Sequence, residues 1–242
     1  DTRSWLADDW HHRRPHRIFA MLIIIENVLD QAGVQALRVR LDQAEWVDGK
    51  ASAGSVSQAV KRNRQLDQNG DTAIALGNHI LGILGRNPTF ISAALPQKIY
   101  PPMFNNYAGG GHYGAHIDSA IMHVDRANMT VRTDLSATLF LTDPEDYDGG
   151  ELVIETSYGA QPVKLAAGDL VLYPATSLHQ VTPVTRGARI SAFFWIQSMV
   201  QDGARREMLY DLDRTIQELR QDHDDNDPRL NSLTGIYHNL MR

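Results

Sequence analysis

Four polar residues in the middle of the chain constrain its fold and chemistry more than any other feature. A His-x-Asp pair, a distant second His and an Arg ten positions beyond it occur at His116, Asp118, His179 and Arg189. Two imidazoles and one carboxylate occupy one face of an Fe(II) octahedron and leave three positions open for a chelating co-substrate and O2. We therefore predict His116, Asp118 and His179 as iron ligands. Arg189 offers a planar fork to the far carboxylate of a 2-oxo acid such as 2-oxoglutarate.

The chain contains three His-x-Asp sequences, and the residues around each one indicate which of them binds the metal. His223 lies in an acidic stretch that ends in Pro, which is typical of a solvated loop. His123 lies in a polar insertion and is the main rival to His116. Before His116, residues 107–115 are rich in Gly, which lets the backbone come close to a ligand where a strand begins. We expect His123 to lie outside the iron ligands.

Short apolar segments separated by Gly, Pro and Asp predict the scaffold of this site. They fall at 98–100, 137–141, 151–155, 163–165, 169–173 and 189–196. Asp148-Gly149-Gly150 is a tight-turn signal between two of them. Many short strands at such spacing favour a sandwich or jelly roll over a parallel sheet.

Helical patterns flank these strands on both sides. A strand at Leu22–Ile25 precedes a helix that Asp30 caps, with Val34, Leu37, Leu41 and Ala44 on one face, and a second helix covers 71–84. After Ser198, a helix is predicted with its apolar face at Ala204, Met208, Leu212, Ile216 and Leu219, followed by a last helix at 230–242. We predict an N-terminal extension (1–20, with Met21 an alternative start), a catalytic domain (21–198, helices 30–85 and barrel about 95–198) and a C-terminal helical segment (199–242).

Composition limits the partners of the chain. With 242 residues and 43% hydrophobic content it can bury one sizeable core. A net charge of -6 argues against nucleic acid or an anionic membrane as the main partner. The chain has no Cys, which excludes disulfides and fits a cytoplasmic location. Arg13-Arg14 before the apolar run 18–25 is similar to an export signal, but the run is short and no cleavage site follows, so we expect a buried strand there.

A basic cluster, Lys61-Arg62-Asn63-Arg64, precedes the second helix. One interpretation is a solvated loop. The alternative is a basic lid at the barrel mouth, about 15 Å or less from the metal, that attracts an acidic substrate through long-range charge.

Several longer motifs resemble one family. They are Tyr107-x5-Tyr113-Gly-Ala-His116-x-Asp118, the segment 132–142 (RTDLSATLFLT), Asp148-Gly-Gly-Glu-Leu and Leu178-His179-Gln-Val-Thr-Pro-Val-x5-Arg189. Together they resemble the PKHD-type hydroxylases, bacterial relatives of prolyl 4-hydroxylase that include the PiuC-type iron-uptake factors, over residues 21–242. The resemblance implies an α+β fold built on a double-stranded β-helix (jelly roll), one Fe(II), 2-oxoglutarate as co-substrate, O2, and a requirement for L-ascorbate.

The family's residue roles transfer by motif. His116, Asp118 and His179 are implied to bind iron, and Arg189 and Tyr107 to bind 2-oxoglutarate. Tyr113 and Trp195 match positions near the substrate mouth, or else pack inside the barrel. Prolyl hydroxylases carry a Tyr where this chain has Leu139-Phe140-Leu141, so Thr138 or Tyr107 is expected as the second partner of the distal carboxylate.

The predicted function is hydroxylation of an unidentified small-molecule or peptidyl substrate, linked to iron or oxygen homeostasis. The alternative is a non-catalytic sensor that reports iron or 2-oxoglutarate through the same site. The open metal positions beside an Arg favour the enzyme, because a sensor does not need a path for O2. The C-terminal helices either close the barrel or form a homo-oligomer.

Overall fold

A computed structural model of the chain describes residues 17–19, 22–52, 60–224 and 226–242. The twin-arginine segment and Met21 lie outside these residues. Within the described ranges, no helix is both long enough and apolar enough to cross a membrane.

The described residues contain five α-helices and eighteen strands, and most strands are short. The helices are α1 (Gln31–Asp42), α2 (Asp71–Leu84), α3 (Pro88–Ala94), α4 (Gly203–Asp222) and α5 (Pro228–Met241). The strands are β1 (Arg17–Phe19), β2 (Leu22–Ile25), β3 (Trp46–Asp48), β4 (Lys61–Arg62), β5 (Arg64–Leu66), β6 (Pro96–Ile99), β7 (Met103–Ala108), β8 (His112–His116), β9 (Ile121–Val124), β10 (Met129–Arg132), β11 (Leu135–Phe140), β12 (Asp148–Gly149), β13 (Leu152–Thr156), β14 (Gly159–Val163), β15 (Leu170–Pro174), β16 (His179–Val181), β17 (Val184–Arg186) and β18 (Ala188–Ser198).

A large antiparallel sheet is the centre of the molecule. Its strands follow the order β1-β2-β15-β11-β18-β7-β5-β3, with β6 also paired to β18. One face packs against α1, α2 and α3 to form the main apolar core, which includes Leu37, Ile80 and Phe90. Side chains alternate along β18 as the strand period requires, so Ile190 and Phe194 enter this core while Arg189 and Trp195 line a cavity on the opposite face.

A smaller antiparallel sheet, with the order β14-β13-β16-β8-β4, forms the other wall of that cavity. Two sheets with a cavity between them, covered by helices on one outer face, confirm the predicted α+β jelly roll. The proposed division into a domain at 21–198 and a helical segment at 199–242 stays a prediction.

Most predicted strands occur close to their predicted positions, and two turn-rich segments differ. The strand predicted at 163–165 is β14, which ends at Val163; it carries Pro162 and lies at the sheet edge, where Pro is tolerated. Asp148 and Gly149 do not join neighbouring strands as a hairpin. They form β12, which pairs with the distant β17. The segment around His123 is not simply polar, because β9 and β10 form a hairpin whose apolar side chains pack near Trp195.

The apolar face predicted for α4 is wrong in part. Ala204 and Met208 are exposed, whereas the buried residues are Arg206, Leu209, Tyr210 and Ile216. A series spaced by four residues turns about 40° further at each step, so it leaves one face within a few steps. Leu209 and Ile216 are seven residues apart and stay on one face. Helix α4 packs against α3 and α5, and Ser92 donates a hydrogen bond to Asp213 (2.6 Å).

Candidate active site

Three predicted metal ligands meet at one end of the cavity. The nearest ligand atoms of His116, Asp118 and His179 all lie within 4.8 Å of one another. His116 Nε2 is 3.9 Å from Asp118 Oδ1, and His179 Nε2 is 3.8 Å from Asp118 Oδ2. Two imidazole nitrogens and one carboxylate are a donor set that suits a non-haem Fe(II) centre with open positions.

Strand pairing brings the two imidazoles together although they are far apart in sequence. His116 at the end of β8 is the register partner of His179 at the start of β16. Each ring has its Nδ1 next to a backbone carbonyl, at 2.8 Å from Gly114 and 3.0 Å from Ser177. A ring that donates from Nδ1 presents the lone pair of Nε2, which is the form that binds a metal.

A hydrogen bond orients the carboxylate of Asp118, and burial keeps the imidazole of His116 neutral. Ser136 on β11 donates a hydrogen bond of 2.6 Å to Asp118 Oδ2, which holds the carboxylate from the large sheet. Burial, followed by the neighbouring His179, lowers the pKa of His116 to about 4. His116 is therefore neutral at neutral pH and available as a ligand.

Arg189 lies in the same cavity and is only 1% exposed. One of its Nη atoms donates to Ser191 (2.8 Å), which in turn bonds Asn105 (2.5 Å). Its Nε is buried without a hydrogen-bond partner, and among the described residues no carboxylate forms an ion pair with it. A buried guanidinium is costly without an anion, so this end of the cavity suits a carboxylate ligand.

Aromatic hydroxyls surround Arg189. Tyr107 on β7 is the register partner of Arg189 on β18. The guanidinium carbon of Arg189 lies 5.5 Å from the centre of the Tyr107 ring. Burial raises the pKa of Tyr107 to about 12, against the opposing effect of Arg189, and burial also raises the pKa of Tyr173. Both phenols therefore stay neutral. Thr138 lines the cavity as well, as expected of a candidate for the second carboxylate contact.

Two further aromatic residues were predicted near the mouth, and both line the cavity. Tyr113 stacks on His116 with ring centres 3.6 Å apart. Trp195 lies in a row with Ser136 and Tyr173 across three neighbouring strands, because Ser136 is the register partner of both. The cavity encloses about 110 Å³ and is open to solvent.

The solvated-loop interpretation of residues 61–64 is wrong. Lys61 and Asn63 are buried while Arg62 and Arg64 are exposed, the alternation expected of paired strands. Lys61 pairs with Tyr113 across β4 and β8 and lines the cavity. Lys61 lies at the cavity, as the alternative expected, but the segment is made of paired strands and is not a lid, and Arg62 and Arg64 do not line the cavity. Attraction of an acidic substrate stays a prediction.

Three other polar residues lie away from the cavity. His123 is exposed on β9 and belongs to no group of potential metal ligands found in the described part of the chain. His223 bonds the Leu219 carbonyl through Nδ1 (3.0 Å). Arg186 forms an exposed ion pair with Asp148 (2.8 Å).

Comparison with known proteins defines the class. A family model described as the 2OG-Fe(II) oxygenase superfamily matches residues 102–197, and a model described as the PKHD-type hydroxylase C-terminal domain matches residues 202–242. The fold and the cavity thus define a 2OG-Fe(II) oxygenase. A PKHD-type hydroxylase from Acidovorax ebreus (strain TPSY) is 57% identical over 222 residues, covering 92% of this chain and 98% of the relative. The chain belongs to the PKHD-type hydroxylases.

Two solved structures share the fold. A prolyl hydroxylase from Trichoplax adhaerens, in complex with a hypoxia inducible factor peptide fragment, has a TM-score of 0.55 at 16% identity, covering 74% of this chain and 84% of that one. HygX from Streptomyces hygroscopicus, with nickel, 2-oxoglutarate and hygromycin B bound, has a TM-score of 0.50 at 14% identity, covering 74% and 83%. Family membership makes this chain a dioxygenase, an oxidoreductase of a family that uses Fe(II), 2-oxoglutarate and O2.

Proposed function

We propose that His116, Asp118 and His179 bind Fe(II), and that Arg189 binds the distal carboxylate of 2-oxoglutarate. The observation that carries this proposal is the cluster of the three ligand atoms within 4.8 Å, in the same cavity as a buried Arg without an acidic partner among the described residues. When bound, Fe(II) supplies the activation of O2 that couples decarboxylation of the 2-oxo acid to hydroxylation of a C–H bond.

The chain's own residues orient the reactants. The backbone carbonyls of Gly114 and Ser177 hold the two imidazoles with Nε2 towards the shared centre. Ser136 holds Asp118 Oδ2, so that the carboxylate has a defined orientation. A rigid arrangement of this kind limits unproductive geometries in a site that must exclude stray water.

At the other end, Arg189 offers Nε and its Nη atoms as a planar donor set. Tyr107 and Thr138, the partners expected for the distal carboxylate, both line the cavity, and Tyr173 is a third neutral hydroxyl there. We propose that one of these hydroxyls donates the second hydrogen bond, because a carboxylate binds more tightly when its remaining lone pairs are also satisfied.

The substrate to be hydroxylated enters through the open side of the cavity. Tyr113, Met122, Phe193 and Trp195 line this cavity and give it an apolar and aromatic wall. The L-ascorbate requirement, the link to iron or oxygen homeostasis and the cytoplasmic location stay predictions. The Trichoplax adhaerens structure holds a peptide fragment and the HygX structure holds hygromycin B. The same fold therefore accepts a peptide in one protein and a small molecule in another, and both substrate classes stay open for this chain.

The proposal is tested by following 2-oxoglutarate consumption and succinate release with Fe(II) and O2. His179→Ala should abolish both and also abolish binding of Ni(II), an inert stand-in for the iron. His123→Ala is the matched control and should retain both, because His123 is exposed and outside the cluster. Equal Ni(II) affinity in His179→Ala and the wild type would refute the ligand assignment.

A further inference from the structure

Tyr147 is a buried tyrosine near Arg189 that the proposed chemistry leaves without a role. Its side chain is fully buried, and it does not line the cavity. Its hydroxyl has no hydrogen-bond partner among the described residues, and neither has Nε of Arg189. A buried polar atom without a partner costs free energy, so both atoms need an explanation.

Gly150 shows how close the two side chains are. A Cβ at Gly150 would lie 3.0 Å from Tyr147 Cε2 and 3.2 Å from Arg189 Cδ. Cε2 is bonded to the ring carbon that carries the hydroxyl, and Cδ is bonded to Nε. The hydroxyl of Tyr147 and Nε of Arg189 therefore lie in one small region, and a residue without a Cβ leaves room for both side chains there.

The charge of Arg189 acts on the Tyr147 hydroxyl. Burial raises the pKa of Tyr147, and Arg189 opposes this rise. The phenol is therefore neutral at neutral pH, and its oxygen can accept a hydrogen bond from the guanidinium. Lys164 fixes the position of the ring, because it donates to the Tyr147 carbonyl (2.9 Å) and its ammonium lies 4.1 Å from the ring centre.

The guanidinium of Arg189 is otherwise held at a single point. One Nη atom donates to Ser191 (2.8 Å). The ring centre of Phe140 lies 5.0 Å from the guanidinium carbon, but this side chain has no hydrogen-bond acceptor. A hydrogen bond from Nε to Tyr147 would hold the guanidinium at a second point. The remaining Nη hydrogens then form the planar pair that meets a carboxylate.

We infer that Tyr147 is a positioning residue for Arg189, whose Nε donates to the Tyr147 hydroxyl when the distal carboxylate of 2-oxoglutarate is bound. This bond directs the guanidinium towards the carboxylate. The inference rests on the proposed function, since it concerns how Arg189 binds the co-substrate. Because Tyr147 acts through Arg189, its effect is confined to ligands that carry a distal carboxylate.

The test measures the binding of two 2-oxo acids to Ni(II)-loaded protein by calorimetry. 2-Oxopentanoate has a methyl group where 2-oxoglutarate has its distal carboxylate, and the two share the 2-oxo acid group. Tyr147→Phe removes the hydroxyl and keeps the ring. It should weaken 2-oxoglutarate binding about tenfold, as expected for the loss of a hydrogen bond to a charged group. The affinities for 2-oxopentanoate and Ni(II) should stay unchanged.

A double mutant separates an effect through Arg189 from any other effect. In the Arg189→Leu background, Tyr147→Phe should not weaken 2-oxoglutarate binding further, because the residue through which it acts is missing. Tyr210→Phe is the matched control. Tyr210 is also buried, lies on α4 outside the cavity, and has the guanidinium carbon of Arg214 5.7 Å from its ring centre. This variant should bind both 2-oxo acids as the wild type does.

Equal 2-oxoglutarate affinity in Tyr147→Phe and the wild type would overturn the inference and leave Nε of Arg189 to the carboxylate. An equal loss for both 2-oxo acids would also overturn it, since Tyr147 would then support the cavity in general. A further tenfold loss in the Arg189→Leu background would do the same. If Tyr147→Phe does not fold, Tyr147→Met is measured in the same way. Wild-type 2-oxoglutarate affinity in Arg189→Leu alone would instead refute the proposed function.

Discussion

At the scale of single residues, the neighbouring arginines Arg189 and Arg186 have opposite surroundings. Arg189 is buried in the cavity, whereas Arg186 pairs with Asp148 in water. Arg189→Leu should weaken 2-oxoglutarate binding to the Ni(II)-loaded protein by about 2–5 kcal/mol, a thirtyfold or greater loss, because a buried carboxylate would lose its partner. Calorimetry measures both affinities, and the Ni(II) affinity should stay nearly unchanged.

Arg186→Leu is the matched control for this substitution. Exposed ion pairs contribute about 0–1 kcal/mol, so this variant should bind 2-oxoglutarate as the wild type does. A similar loss in both variants would mean that the effect is a general change in charge or folding, and Arg189 would then have no specific role.

The sequence could predict those site residues that belong to contiguous motifs. His116, Asp118, His179 and Arg189 were predicted because their types and spacing match one kind of chemistry. The structure places all four in one cavity, and their roles stay predictions. Ser136 and Tyr173 were missed, and the sequence left the direction of Lys61 open between two interpretations. Each depends on the register between strands that are distant in sequence, such as Ser136 between Tyr173 and Trp195, and no local pattern encodes that register.

At the scale of elements, α4 offers a direct test of which face is buried. Leu209 is fully buried beside Leu95 and Val200, whereas Met208, on the face predicted from sequence, is 58% exposed. Leu209→Ala should lower the free energy of unfolding by about 2–5 kcal/mol, because it leaves a cavity in this contact. Met208→Ala should change it by no more than about 0.5 kcal/mol. Urea unfolding measures both, and the reverse order would contradict the observed face.

The turn before β15 depends on a glycine. Gly168 has a φ of +101°, and a Cβ there would lie 2.2 Å from the Leu29 carbonyl oxygen, which no side chain movement can relieve. Gly168→Ala should therefore destabilise the fold by about 1–3 kcal/mol or more. Gly82→Ala is the control, since this exposed helical glycine has open space around it and should gain about 0.5–1 kcal/mol. Equal stability of the two variants in urea would contradict this account of the turn.

The sequence predicted the order and type of the helices and strands more reliably than it predicted which strands pair with each other. Runs such as Leu22–Ile25 and the Asp30 cap depend on neighbours in sequence, and both occur as expected. Helix α3 was missed because its seven residues are too few to show a helical period. The pairing of β12 with β17 joins segments separated by a long stretch of chain, so a local turn signal at Asp148-Gly149 could not predict it.

At the scale of the whole molecule, each of the two sheets contributes different residues to the candidate site. His116 and His179 belong to the small sheet, and Arg189 and Ser136 to the large one. The hydrogen bond from Ser136 to Asp118 already links the large sheet to the predicted metal ligands without any bound ligand. A 2-oxoglutarate molecule held by the metal at one end and by Arg189 at the other would tie the sheets together a second time.

This arrangement predicts stepwise thermal stabilisation. A ligand that binds only the folded state, at about a hundred times its Kd, adds about 2.7 kcal/mol, or roughly 5–10 °C in Tm for a chain of this size. Ni(II) should raise the Tm of the wild type and of Arg189→Leu alike, since Arg189 is not a metal ligand. Added 2-oxoglutarate should raise the Tm further in the wild type and by a much smaller amount in Arg189→Leu, and His179→Ala should respond to neither ligand. A 2-oxoglutarate shift in the wild type without metal, equal to the shift with metal, would contradict a co-substrate that spans both sheets through the metal.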